Sequence, residues 1–249
     1  MYSDVFCKVY NEFGWNYYPE AFGEQLLQWL SDHNVSVGSA MDLACGTGVL
    51  CRILKEQGIR AHGMDFSTGM IAIAREADPD IPYDVADMTT YRPEAQFDLV
   101  TCTGDALNHI PDLADVERIF ANVHAYLAPG GHFIFDLLDE KEISTSEPFD
   151  LDFDEHIRAR FRITRPAADK VHLQTEVFED GVHSFTEDIF ETVHDRSAVL
   201  SMLQRQGFEL LKCAHRLSDD GGPEVATWFV IARKSDNTAQ RNKITEVLL

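Results

Sequence analysis

The sequence is poor in basic residues. Lys and Arg number 21 against 42 Asp and Glu, a formal net charge of −21 over 249 residues. A surface of that sign repels phosphate backbones and anionic headgroups, so neither nucleic acid nor membrane is expected as a partner. No apolar run approaches the roughly 20 residues that a bilayer span needs. The opening MYSDVFCKVYNEF carries carboxylates where a secretion signal is cationic, and holds no long apolar stretch. Cysteine is scarce: Cys7, Cys45, Cys51, Cys102 and Cys213 are odd in number and form no C-x-x-C pair. That spacing argues against a disulfide framework and a zinc site, so no metal is expected. Reduced thiols in a cytoplasmic protein are the expectation. Repeats and low-complexity segments are absent.

What is present is an ordinary globular composition, 45% apolar and 25% charged. It suits one large core, or one domain carrying an insertion. Apolar spacing predicts a helix over 18–30, with Phe22, Leu26 and Trp29 on one face. A buried strand over 39–45 leads through Gly46-Thr-Gly48 into a helix closed by Gly58. Strand 59–64 ends at Asp65, and Ser67 caps a helix to about residue 76. Strands over 81–86 and 97–102 follow. Next come a helix lined by Leu113, Val116, Phe120, Val123 and Leu127, then a strand over 132–138. This alternation implies a parallel sheet with helices on both faces.

The pattern changes after residue 140. From 149 to 163 odd positions are apolar except Glu155, and even positions are charged or His156. A period of two marks antiparallel strand with one wet face. Further strands are expected over 171–178 and 182–193. A helix over 197–206, strands over 208–216 and 226–233, and a turn over 218–223 return to the first pattern. The division predicted is a core of 1–140 plus 195–234, an antiparallel insertion over 141–194, and a tail over 235–249. The insertion is expected to form a lid, substrate surface or dimer surface. Its stripe of Leu151, Phe153, Ile157 and Phe161 must then be covered by the sheet domain or another subunit.

The most informative segment is Asp42-Leu-Ala-Cys-Gly-Thr-Gly48, between a buried strand and a helix start. Small residues at 44, 46 and 48 admit a ligand close to the backbone, and the helix start offers unpaired N–H groups. A plain tight turn is the alternative. In a dinucleotide fingerprint, G-x-G-x-x-G, the last glycine would fall on Val49, which argues against NAD or FAD. Asp65 ends the next strand, 19 residues after Gly46, where an acid accepts ribose hydroxyls. Phe66 offers an apolar wall for a purine, and Asp87-Met88 repeats the acid-plus-apolar pairing.

With these residues the sequence resembles the class I S-adenosylmethionine-dependent methyltransferases. The resemblance rests on residues 42–48, Gly63-Met-Asp65-Phe-Ser, Ala86-Asp87-Met88, Phe97-Asp-Leu-Val-Thr-Cys102, Leu127-Ala-Pro-Gly-Gly131 and the Gly207-Phe208 hairpin. It covers 40–140 and 195–233, and Ala44 stands where the family usually has its first glycine. It implies an α/β fold with a Rossmann-like seven-stranded sheet of order 3-2-1-4-5-7-6, strand 7 antiparallel. It also implies S-adenosyl-L-methionine as cofactor and S-adenosyl-L-homocysteine as product. The Ala44, Gly46 and Gly48 turn would meet the methionyl part, Asp65 the ribose, and Phe66, Asp87 and Met88 the adenine. Met70 is a further expected contact, and Thr103 would lie under the methionine moiety. The sequence is also similar to amino-sugar and glycine N-methyltransferase-like enzymes, which carry an antiparallel insert after strand five. Their F-x-x-x-Y pattern is seen as Phe6-Cys-Lys-Val-Tyr10, which implies an N-terminal segment folded over the cofactor with Tyr10 or Tyr18 near it.

The implied reaction moves a methyl group to a small molecule, at an amine nitrogen. Transfer to a hydroxyl or carboxylate, and a non-catalytic S-adenosylmethionine-binding protein, are the alternatives. The chain would be a monomer or homodimer. Residues 103–109 follow strand four on the rim where ligands bind in open α/β sheets. His109, which titrates near neutral pH, is the candidate base or substrate orienter, with a hydrogen-bonded structural role as the alternative. Asp105 and Asn108 read equally well as turn residues. Asp150, Asp152 and Asp154 form either a site for a cationic amine or the wet side of a strand. Arg158, Arg160 and Arg162 are candidates for anion binding, or for cross-strand pairs with Glu176, Glu187 or Glu191.

Overall fold

The computed structural model describes residues 2–141, 143, 145–217 and 227–235. Helix α1 (Asp4–Val9) and helix α2 (Tyr17–Asp32) precede strand β1 (Ser39–Leu43). They are followed by α3 (Val49–Glu56), β2 (Arg60–Asp65), α4 (Thr68–Ala77), β3 (Tyr83–Val85) and β4 (Phe97–Cys102). A 3-10 turn (Ala106–His109), α5 (Leu113–Tyr126) and β5 (Leu127–Leu138) complete the first run. Strands β6 (Phe149–Asp152), β7 (Ile157–Ala167), β8 (Lys170–Glu179) and β9 (Val182–Thr192) form the inserted part. Helix α6 (Arg196–Arg205), β10 (Phe208–Ala214) and β11 (Thr227–Lys234) close the described chain.

Seven strands form one sheet in the order β10-β11-β5-β4-β1-β2-β3. Neighbours from β5 to β3 are parallel, and β11 runs antiparallel to both β5 and β10. With β10 and β11 as sixth and seventh strands, this is the 3-2-1-4-5-7-6 order. Every residue of β1 is buried because helices cover both faces. One face holds Phe120, Phe133, Phe135 and Leu127, the other Phe22, Leu26, Leu50, Leu54 and Phe229. The caps are local: Ser67 Oγ accepts from Met70 N–H, Asp112 from Ala114 N–H and Asp195 from Ala198 N–H.

The second sheet is four-stranded and antiparallel, β6-β7-β8-β9. The run of period two over 149–163, expected as one strand, is a hairpin. Asp154 Oδ1 accepts from the N–H groups of both His156 and Ile157, and Phe149 pairs with Phe161. Alternation survives a reversal of direction, so the spacing hid the turn. The same pairing joins Arg160 to Asp150 at 2.8 Å and Arg158 to Asp152, instead of joining either arginine to Glu176, Glu187 or Glu191. Two of the three aspartates are thereby occupied, and the third makes the turn.

The apolar face of this sheet is covered from an unexpected quarter. Phe161, Phe153 and Ile157 pack against Phe6, Phe13, Trp15 and Tyr10 of the N-terminal segment. Ser3 fastens that segment to the sheet, its N–H and hydroxyl both donating to Glu187. Thr47 fastens it to the nucleotide loop, its hydroxyl 3.0 Å from Asn11 Oδ1. Leu151 stays 47% exposed and Phe149 42% exposed. The third strand is shorter than expected, and β5 starts at Leu127, five residues early, through an irregular pairing with β4. The expected turn over 218–223 and the tail beyond Ser235 lie outside the described residues.

Candidate functional site

The carboxyl ends of β1, β2 and β4 open onto a cavity of about 540 Å³. That size is ordinary for a small-ligand site. Its first wall is the turn after β1. Ala44, Gly46 and Gly48 all have positive φ, 56°, 53° and 75°. Alternate residues in the left-handed region bend the chain sharply into α3, which is why small side chains recur there. Ala44 and Gly46 line the cavity. Gly48 does not; it faces Tyr83, and a Cβ there would sit 2.4 Å from the Tyr83 hydroxyl. A packing constraint therefore also requires glycine at this position.

Asp65, at the end of β2, points its carboxylate at the same turn. One oxygen accepts from Gly46 N–H at 2.9 Å and the other from Ser67 N–H at 2.7 Å. Burial raises its pKa. Beneath the turn, Asp42 is buried and accepts from Thr101 Oγ at 2.7 Å, and burial pushes its carboxyl up to about 7. Met70 and Met88 provide apolar lining, while Phe66, 56% exposed, stands at the rim beside Asp87. The Asp87 carboxylate accepts from Thr89 N–H at 2.8 Å.

The second wall is the loop after β4. Thr103 and His109 line the cavity, as do Tyr10 and Tyr18 from the N-terminal segment. The loop is pinned by Asp136, a buried residue of β5 that sequence reasoning missed. Its carboxylate accepts from Gly104 N–H at 2.8 Å, from Asp105 N–H at 2.9 Å and from the Tyr18 hydroxyl. Burial raises it to about 6. The one available signal was a lone acid in the apolar run Phe133-Ile-Phe-Asp-Leu-Leu138.

Asp105 and Asn108 are more than turn residues. Asn108 is buried and clamps the loop. Its amide nitrogen donates to Thr192 O at 2.8 Å, and its oxygen accepts from Leu138 N–H at 3.1 Å. Asp105 gathers with His109 and Glu191, the three offering polar atoms within 4.8 Å of one another. His109 Nε2 lies 3.6 Å from Asp105 Oδ1 and 3.9 Å from Glu191 Oε1. Burial lowers the His109 pKa, so the ring is neutral at pH 7. Burial, reinforced by Asp136 for Asp105 and by Asp105 for Glu191, raises both carboxyls to about 8. In the sequence Glu191 stood only as a possible cross-strand partner of Arg158, Arg160 or Arg162. Its approach to residue 109 spans two sheets.

The comparisons agree with this geometry. Residues 40–131 match the family described as "Methyltransferase domain". The dTDP-3-amino-3,6-dideoxy-alpha-D-glucopyranose N,N-dimethyltransferase of Streptomyces fradiae is 28% identical over 129 residues, 52% of this chain and 50% of that protein. The chain thus spans about half the length of that curated relative. Among solved structures, the amino pentose methyltransferase CalS10 of Micromonospora echinaspora superposes with TM-score 0.75 at 19% identity, covering 94% of this chain and 98% of that one. An S-adenosylmethionine-dependent methyltransferase of Clostridium acetobutylicum ATCC 824 superposes with TM-score 0.77 at 21% identity, covering 87% and 92%. Residues 40–131 thus match a methyltransferase domain, and the sheet order together with the solved structures shows a fold similar to that of the class I S-adenosylmethionine-dependent methyltransferases.

Proposed function

We propose that this chain transfers a methyl group from S-adenosylmethionine to an amine nitrogen of a small molecule, with amino sugars the first acceptor class to test. The observation that carries the reading is the juxtaposition of the Asp65-pinned turn with the neutral imidazole of His109 on one cavity. Its support from relatives is the amino-sugar substrate in the name of the Streptomyces fradiae enzyme.

The cavity suits that cofactor. Five aspartates, Asp42, Asp65, Asp87, Asp115 and Asp188, line it among the described residues, a field that favours a cation. Asp65 would hold the ribose, Phe66, Met88 and Asp87 the adenine, and Ala44, Gly46 and Thr103 the methionyl part. When bound, the cofactor supplies a methyl group on a cationic sulfur, activated for in-line displacement. The chain must then align the nitrogen and exclude water. Tyr2, Tyr10 and Tyr18 close one side of the cavity, and the sheet of β6–β9 contributes Ile189 and Phe190 as part of a lid. His109 takes the proton from an ammonium acceptor or orients it. On this reading residues 1–140 and 195–234 bind the cofactor, and 141–194 shape the acceptor side.

The test is formation of S-adenosylhomocysteine with a panel of amino sugars, simple amines and hydroxy acids. Mass spectrometry of the product would locate the new methyl group. Turnover on an amine, with the methyl on nitrogen, is expected. Turnover confined to hydroxyl or carboxylate acceptors would replace the reading with O-methylation. Cofactor binding with no turnover on any acceptor would leave a binding protein.

A further inference from the structure

The His109 imidazole makes no hydrogen bond among the described residues; its nearest polar neighbours, Asp105 Oδ1 and Glu191 Oε1, stand at 3.6 and 3.9 Å. The place of the ring is therefore set by the backbone of the turn Ala106–His109. We propose that Asn108 and His194 are positioning residues, which splice this turn to the exit of the inserted sheet and so hold His109 in place toward the methyl acceptor. This rests on the methyl-transfer reading and extends it, because it gives the segment after β9 a part in the reaction.

The splice runs in both directions. Asn108 Nδ2–H donates to Thr192 O at 2.8 Å. His194 Nε2 lies 2.9 Å from Ile110 O and 3.3 Å from Leu107 O. Both partners are carbonyl oxygens, which only accept, so Nε2 carries the proton. Residues 192–194 thus give the turn one acceptor and one donor. From the opposite side, Leu138 N–H of β5 donates to Asn108 Oδ1 at 3.1 Å. One amide therefore joins the turn, the large sheet and the end of the small one. The start of the loop is pinned separately, by Asp136 accepting from Gly104 N–H and Asp105 N–H.

Burial and direction decide which contacts set the ring. Leu107 is fully buried and holds the turn to the core, but apolar burial has no preferred direction. Hydrogen bonds do, so the polar clamps fix how the turn is rotated. Asn108 is 1% exposed and His194 6%, so water does not replace a partner that is lost. His109 follows Asn108 directly, and a tilt of that peptide carries the imidazole with it. A misplacement of about 1 Å costs on the order of a hundredfold in rate.

Kinetics and histidine NMR on the same variants decide the matter. Asn108→Asp keeps the shape and turns the donor to Thr192 O into an acceptor. His194→Ala removes the donor to Ile110 O, and His194→Gln offers an amide N–H in its place. Each of the first two should lower kcat for amine methylation by about tenfold or more. The KM for S-adenosylmethionine and the calorimetric affinity for S-adenosylhomocysteine should hold. His194→Gln should recover part of kcat. In a His109→Ala background, Asn108→Asp should change kcat by less than about threefold, because the loss runs through the imidazole. A general loosening of the fold would lower kcat by the same factor in both backgrounds, and that result overturns the proposal. In protein carrying nitrogen-15 histidine and bound to S-adenosylhomocysteine, the His109 ring signals should move in Asn108→Asp and His194→Ala and return toward wild type in His194→Gln. Signals at their wild-type positions in the first two variants overturn the proposal whatever the turnover. If Asn108→Asp does not fold, the two His194 variants carry the same test. Wild-type protein that binds the cofactor yet methylates no amine would instead sink the methyl-transfer reading, and the NMR comparison would still judge the splice.

Discussion

Replacing Asp65 with alanine separates two roles that one carboxylate plays. Its oxygens pin Gly46 N–H and Ser67 N–H at 2.9 and 2.7 Å, which fixes the turn after β1 against the start of α4. The same carboxylate is the proposed acceptor for the ribose hydroxyls. Hydrogen bonds to a charged group contribute about 1.5–3 kcal/mol each. Loss of the ribose contact should therefore weaken S-adenosylmethionine by about ten- to a hundredfold. Loss of the two pins should separately cost about 1.5–3 kcal/mol of folding stability, less than twice the single-bond value because both residues line the cavity, where water can replace the carboxylate. Asp65→Asn keeps one acceptor oxygen and loses the charge, so it should retain more stability than affinity. Calorimetric titration with S-adenosylhomocysteine and urea denaturation of the same samples measure the two effects. A folded Asp65→Ala protein with wild-type affinity would remove Asp65 from the cofactor site. Reduced affinity with unchanged stability would show that the two backbone bonds carry no net energy.

Two further predictions concern the same region. Gly48→Ala combines a φ of 75° with a Cβ 2.4 Å from the Tyr83 hydroxyl, and should cost about 2–4 kcal/mol. Tyr83→Phe removes that hydroxyl, which is buried without a hydrogen-bond partner, so the double variant should recover part of the loss; strict additivity in urea denaturation would count against the contact. Stability should also fall from pH 6 to pH 8.5. Asp136, Asp42, Asp105 and Glu191, raised to about 6, 7, 8 and 8, bind protons in the folded state that the unfolded chain has released, and each such proton removes about 1.4 kcal/mol per pH unit. Below pH 6.5 the lowered pKa values of His109 and His194 act in the opposite sense and offset part of this slope. Asp105→Asn, whose side chain tolerates the φ of 52°, should flatten the alkaline fall; a stability that rises from pH 6 to 8.5 in the wild type would refute the assignment.

The parts that the sequence determined by itself are those set by local chemistry. Apolar periodicity gave the alternating strands and helices, Ser67 capped its helix, and small residues at 44, 46 and 48 marked a turn that does enter the left-handed region three times. Asp65, Phe66, Asp87 and Met88 line the cavity for the same reason, since ligands in such sheets meet the residues at strand ends. The tertiary structure decided what depends on distance in space. Gly48 is held to glycine by Tyr83, from another strand, which occupies the space a Cβ would need. The hairpin at 153–156 was invisible because a period of two reads the same in both directions. The cover over the inserted sheet came from Phe6 and Phe13, more than 130 residues before it in sequence. Asp136 looked like a stray acid in an apolar strand and Glu191 like a cross-strand partner of arginine, until the fold set one under the Gly104 loop and the other beside His109. Side-chain pattern reports which face is buried; which partners meet there is set only when the sheets close on each other.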